Sequence, residues 1–205
     1  MAGYERSPAV SPHDGAAPKR DPAPWRLRPS TADDAAWIAE LRAEVMRPDL
    51  ERLGRFDPDR VRQRFLNAFV PEFTSVIEAS GAGEAVGASK AVGASEPPGA
   101  PESPGSPAPD EDRTHLALGV IAVRPEPDAL WIEHFYLAPS QQGHGLGSAV
   151  LQHVMREHAD ERPFRLDVLQ GSPARRLYER HGFEFEREDE VDVFLVRAPD
   201  VNMLR

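Results

Sequence analysis

From Trp25 onward, apolar residues recur with two different periods, and the periods predict where strands and helices lie. Trp25-Arg26-Leu27-Arg28 alternates as a short strand closed by Pro29. Ser30 or Thr31 can cap a helix with Asp33 and Asp34 in its first turn, where unpaired N–H groups favour carboxylates. Its apolar face would be Trp37, Ile38, Leu41 and Val45, ending near Arg47-Pro48. Asp57-Pro58 couples a capping residue to proline at the first helical position. A second helix is therefore expected, with Val61, Phe65, Leu66 and Phe69 buried and Pro71 beyond its end. Phe73 to Ala79 and Leu116 to Val123 read as two arms of a hairpin, and Arg124 to Asp128 as a tight turn.

The stretch from Leu130 to Met155 carries the strongest functional signal. Trp131, Glu133, Phe135 and Leu137 alternate with Ile132, His134 and Tyr136 before Ala138-Pro139-Ser140 breaks the strand. Three glycines follow Gln142 at alternate positions, Gly143, Gly145 and Gly147, and Val150, Leu151, Val154 and Met155 then recur at helical spacing. A glycine-rich turn feeding a helix suits a phosphate: the backbone can come close, and first-turn N–H groups have no intrahelical partner. A plain turn would need only one or two glycines. Beyond Pro163, Phe164 to Leu169 is a strand, and Ser172-Pro173 opens a short helix with Ala174, Leu177 and Tyr178 on one face. Gly182 lies past its end, and Phe183 to Arg187 and Val191 to Val196 are two final strands. The order β α α β β β α β α β β predicts one mixed α/β (α+β) domain with a single βαβ crossover.

Composition narrows the chemistry. The 205 residues include no cysteine, which removes disulfides, thiolate metal sites and thiol nucleophiles. A formal charge of −10 argues against general nucleic-acid binding. No apolar run approaches a membrane span, and the N-terminus lacks a signal-peptide core, so a cytoplasmic protein with no membrane partner is expected. Residues 1–23 read as a disordered tail ahead of a domain at 24–205. Residues 80–113, rich in Gly, Ala, Ser and Pro with AVGAS at 85 and again at 91, read as a disordered insert expanding the hairpin loop. His153 and His158 are five apart on a helix and share no face, so no metal site is expected.

Gln142-Gly143-His144-Gly145-Leu146-Gly147 resembles the acyl-CoA signature of the GNAT superfamily of N-acyltransferases, [Q/R]-x-x-G-x-[G/A]. Ser172 to Phe183, SPARRLYERHGF, resembles that family's second acyl-CoA segment, with Ser172 where Asn is common. The element order also matches. The resemblance implies a GNAT-like fold: a central mixed sheet of about seven strands, about four flanking helices and a splayed strand pair. It further implies transfer of an acetyl group from acetyl-CoA to a primary amine of a small molecule or peptide, with no metal; a homodimer is left open.

On that reading the pyrophosphate would rest on the backbone of Gln142, Gly143, His144, Gly145, Gly147 and Ser148. The pantetheine arm would run along 131–137 with main-chain bonds from Leu137 and its neighbours, and Ser172 would meet it or the local backbone. Tyr178 is the candidate acid for the departing thiolate, and Glu133 the candidate base for the amine. Each also has an ordinary reading, as a core tyrosine and as a salt-bridged carboxylate. His134 is expected on the face opposite Glu133, as a packing residue. The acceptor pocket would draw on Arg47, Asp49, Glu51, Arg52, Arg55, Glu188, Asp189, Glu190 and Asp192.

Two other readings compete. Gly143 to Ser148 also approximates a dinucleotide fingerprint, with Asp167 at the position of a ribose-binding acid, although only one βαβ unit is available. A non-catalytic acyl-CoA-binding or interaction module would keep the same fold.

Overall fold

The computed structural model describes residues 22–80 and 117–199. The tail and insert expectations fall almost wholly outside them. Seven strands form one sheet in the order β1-β2-β3-β4-β5-β7-β6. They are β1 (Trp25–Pro29), β2 (Thr74–Ala79), β3 (Ala117–Pro125), β4 (Leu130–Leu137), β5 (Phe164–Leu169), β6 (Glu184–Glu188) and β7 (Asp192–Arg197). Helices α1 (Ala35–Arg52) and α2 (Pro58–Ala68) lie between β1 and β2, α3 (Leu146–Glu157) between β4 and β5, and α4 (Arg175–Arg180) after β5. The order is the one the sequence predicts, and β2 and β3 pair antiparallel as the two hairpin arms.

Two apolar layers hold the helices to opposite faces of the sheet. Val150, Leu151, Val154 and Met155 of α3 bury against Ile77, Ile121, Ile132, Leu166 and Leu195. On the other face Ile38 and Leu41 of α1 and Phe65 of α2 close over Val120. Helix α2 starts as its sequence dictates: the Asp57 side chain accepts from the Arg60 N–H at 3.0 Å, and Pro58 follows it. Thr31 and Asp34 make a reciprocal capping box ahead of α1.

Three local expectations are corrected. Helix α1 passes through Pro48 and ends at Arg52. Proline removes one backbone bond, but Pro48 is exposed, so the freed carbonyl can turn to water, and burial of Leu50 continues the helix. Leu66 is exposed rather than buried, because Val61 and Phe65 alone face the sheet. Ala174 is exposed, and the buried side of α4 is Tyr178 with Leu177 packed beside it.

A buried ionic cluster ties β1 to β2 and to the start of α1. Arg28 forks onto Asp34 with two bonds of 2.9 Å and reaches Glu78 through Nε at 2.7 Å. Burial works against the Asp34 charge, but bonds from Arg28, Trp37 and the Thr31 N–H outweigh it and hold the carboxyl well below its ordinary range.

Only β4 and β5 run parallel among the described strands. A dinucleotide fold needs several parallel strands, so that reading does not survive the topology. The β4–β5 pair is short: Leu130 meets Phe164 and Trp131 meets Arg165, after which pairing stops. From there to Leu137 the β4 edge is open, and the strands splay into a fork.

Candidate active site

β4 bears an extra residue just beyond the fork. On β3, Val120 faces Tyr136 and Ala122 faces Glu133, so three steps along β4 match two on its partner. His134 takes up the surplus with φ of 50°, a left-handed conformation that costs a non-glycine residue about 1–3 kcal/mol. The bulge corrects the alternation read from the sequence. Glu133 and His134 both lie on the α1/α2 side, with Tyr136, whereas Phe135 and Leu137 pack on the α3 side.

His134 pays for its strain in contacts. Its ring meets Phe65 edge-on at 5.0 Å, and its Nδ1 lies 3.5 Å from the Tyr136 hydroxyl. That hydroxyl accepts from Arg42 Nη1 at 2.8 Å. Burial, reinforced by the charges of Arg42 and Arg124, pulls the His134 pKa down to about 4, so the ring is neutral at pH 7.

At the far end of β4 the chain enters the glycine turn. Gly143 and Gly145 have φ of 78° and 88°, which side chains rarely tolerate. Gly145 is the N-cap of α3, and no side chain caps that terminus. The Gly145 carbonyl accepts from Ala149 N, so helical geometry leaves the N–H groups of Leu146, Gly147 and Ser148 without intrahelical partners. Gly147 serves a different purpose: a Cβ there would touch Leu137 and Leu177 side-chain carbons at 3.4 Å, so its smallness seats α3 against β4 and α4. Gln142 staples the turn to the strand, its Nε2 donating to the Leu137 carbonyl at 2.9 Å. His144 is exposed in the middle of the turn.

Between the arms of the fork and α1 is a cleft of about 240 Å³, lined by Glu133 and Tyr136 from β4, Asp167 from β5, Arg42 from α1, and Ser172 and Tyr178. Tyr178 is 6% exposed, and its hydroxyl has no hydrogen bond within the described residues. Burial raises its pKa, with the nearby Tyr136 and Asp167 adding to the effect, so it stays protonated across the neutral range. Ser172 Oγ accepts weakly from Ala174 N at 3.4 Å, its local backbone partner.

The two carboxylates of the fork differ. Glu133 is ion-paired to Arg124 at 2.5 Å; burial raises its pKa and Arg124 opposes the rise. Asp167 has no hydrogen bond or ion pair among the described residues, and its side chain reaches solvent through the open fork. Its crowded protein side raises its pKa, and the charge of Glu133 raises it further.

Of the residues expected around the acceptor, Asp49 and Asp192 line this cleft. Others are spent elsewhere: Arg47 pairs with Glu51, Arg52 with Asp49 and the Gln170 carbonyl, and Arg55 reaches Glu190. Arg42 and Tyr136 were not legible from the sequence as site residues, since both sit at unremarkable positions in helix and strand patterns. Gly119 was also missed: a Cβ there would lie 2.3 Å from the Tyr136 carbonyl, so only glycine lets β3 approach β4 at the bulge. Among the described residues no group of three or more His, Asp or Glu is placed to hold a metal, and no helix is long and apolar enough to cross a membrane.

Residues 110–185, which span β3 to the start of β6, match the sequence model described as acetyltransferase (GNAT) domain. No curated protein matches the chain. Among solved structures, PaiA N-acetyltransferase of Thermoplasma acidophilum in complex with coenzyme A superposes with TM-score 0.55 at 13% identity, over 85% of this chain and 98% of that one. An acetyltransferase of Thermus thermophilus gives 0.55 at 14% identity, over 85% and 97%. An N-acetyltransferase of Staphylococcus aureus gives 0.53 at 14%, over 83% and 99%. At these identities the superpositions speak for the fold. The described residues thus share the fold of these acetyltransferases, and residues 110–185, with the glycine turn and the splayed β4–β5 pair, carry the likeness to the GNAT domain.

Proposed function

We propose that this protein is an N-acetyltransferase that moves an acetyl group from acetyl-CoA to a primary amine by direct attack. The observation that carries the reading is a convergence. The cleft beside the unpaired edge of β4 is lined by Tyr178, whose hydroxyl is unbonded, and the same strand leads through the glycine turn to the uncapped α3 terminus.

Acetyl-CoA supplies an activated thioester, and the chain's own groups do the rest. The turn from Gln142 to Ser148 holds the pyrophosphate through N–H groups at a helix N-terminus, where the dipole favours negative charge. The open edge of β4, ending at Leu137, accepts the pantetheine arm as an added strand would be accepted. Ser172, at the cleft wall, offers a hydroxyl to the same arm. A backbone N–H of β4 stabilises the oxyanion formed when the amine adds to the thioester carbonyl. Tyr178 gives the departing sulfur its proton, and the raised pKa keeps that proton available. The incoming amine must first lose a proton, and the fork offers two carboxylates for it, Glu133 and Asp167.

The test is calorimetric titration with acetyl-CoA, followed by a screen of amines, amino acids and peptides for release of free CoA. Saturable acetyl-CoA binding with amine-dependent release supports the reading. Binding with no release by any amine would leave a carrier or interaction module instead.

A further inference from the structure

We propose that Asp167, rather than Glu133, receives the acceptor: its carboxylate binds the substrate as an alkylammonium and takes the proton that frees the nitrogen to attack. This rests on the acetyl-transfer reading above.

Three observations carry the assignment. The first is position. Trp131 and Arg165 are the last paired residues of the parallel strands, so Glu133 and Asp167, each two residues on, are the first carboxylates on the two arms past the split. Side chains two apart share a face, and both acids line the cleft with Tyr178. The second is pairing. Glu133 is neutralised by Arg124 at 2.5 Å, and a carboxylate held by a guanidinium is a weaker base and a poorer ammonium site. Asp167 has no such partner among the described residues. The third is the charge of the walls. Asp192 lines the same cleft with no ion pair among the described residues, Asp49 lines it paired to Arg52, and Arg42, the one arginine of the lining, is bonded to the uncharged Tyr136 hydroxyl. A cationic acceptor is drawn in, and an anionic one is repelled.

Asp167 is open to solvent on one side, and the crowding on its protein side that raises its pKa suits it to proton acceptance, with Glu133 and Asp189 pushing in the same direction and Arg42 and Arg187 against it. The steps balance. Asp167 removes one proton from R–NH3+, and R–NH2 adds to the thioester carbonyl. The C–S bond then breaks and the thiolate takes the Tyr178 phenolic proton. The resulting phenolate removes the surplus proton from the new amide nitrogen, and Asp167 returns its proton to solvent. In sum, the alkylammonium and the acetyl thioester give the amide, the free thiol and one proton.

The test compares the wild type with Asp167→Asn and Glu133→Gln, using propylamine, which is protonated at neutral pH, and aniline, which is not. Asp167→Asn should lower kcat/KM for propylamine roughly 100-fold. It should leave aniline turnover and acetyl-CoA affinity within a factor of a few, which also shows that the variant is folded. Glu133→Gln should cost propylamine turnover much less. Equal losses with both amines, or full propylamine turnover by Asp167→Asn, would overturn the role of Asp167 and leave the cofactor site standing. So would a wild type that binds acetyl-CoA but acetylates aniline alone. Failure of the wild type to bind acetyl-CoA would overturn the cofactor reading itself, and the role of Asp167 with it.

Discussion

Glu133 and Asp167 occupy equivalent places on the two arms of the fork, and only Glu133 is given an arginine. Their like charges oppose each other, and the charge of Glu133 adds to the rise in the Asp167 pKa. Replacing Glu133 with Gln removes one source of the upward pressure, so the Asp167 pKa should fall. Carboxyl carbon NMR titration of wild type and variant reads this directly; an unchanged or higher Asp167 pKa would show that the two groups do not interact.

The free hydroxyl of Tyr178 predicts a split between chemistry and binding. Tyr178→Phe keeps the ring that packs against Phe183 at 5.8 Å and removes only the proton. Turnover of a good acceptor should fall by about 100-fold with acetyl-CoA affinity nearly constant. Retained turnover would take Tyr178 out of the reaction.

The glycines of the turn should respond unequally. Gly145→Asp sets a carboxylate beside the expected phosphates and forces a side chain onto φ of 88°, so acetyl-CoA binding should vanish. Gly147→Ala adds a methyl that meets flexible leucine carbons at 3.4 Å and the Phe135 ring at 4.0 Å, and should keep most of the affinity. Equal effects in calorimetric titration would contradict the division of labour.

Acid should destabilise the fold partly through His134. Its folded pKa is lowered to about 4, so between there and its ordinary value near 6.5 the unfolded chain binds the proton more readily. Stability from this group is therefore full above pH 6.5 and declines as pH falls toward 4, by on the order of 3 kcal/mol at most. His134→Gln should flatten this part of the curve of stability against pH, measured by urea unfolding. An unaltered slope would mean that the ring protonates in the folded state as freely as in water.

The Arg28 cluster makes a separate prediction. Asp34→Ala leaves Arg28 largely buried with half of its partners gone and should cost about 3–5 kcal/mol. Because the Asp34 carboxyl is held below its ordinary range, its stabilisation is full above about pH 4 and is lost only as pH falls below that. A variant within 1 kcal/mol of wild type in denaturant unfolding would show that the cluster contributes little, as some buried ion pairs do.

Local rules made much of this protein legible. Element order, the α2 cap at Asp57-Pro58, the apolar face of α3 and the glycine turn follow from periods and propensities that act within a few residues. Those are short-range forces, and the sequence states them directly. Pro48 and Leu66 misled because a proline on a solvent face is tolerated and because helix α2 meets the sheet over a narrower stripe than its leucine count implies.

By itself, then, the sequence determined the kind of elements, their order and a glycine turn at a helix N-terminus. The tertiary structure alone decided which side chains share the cleft. One surplus residue at His134 reverses the faces of β4, and no periodicity predicts a bulge whose strain is offset by Phe65, sixty-nine positions earlier in the chain. The divergence of β4 from β5 after a single pair of rungs brings Asp167, Tyr178 and Arg42 to one opening. Whether a carboxylate is free or neutralised depends on a neighbour across the sheet, and that is a property of packing.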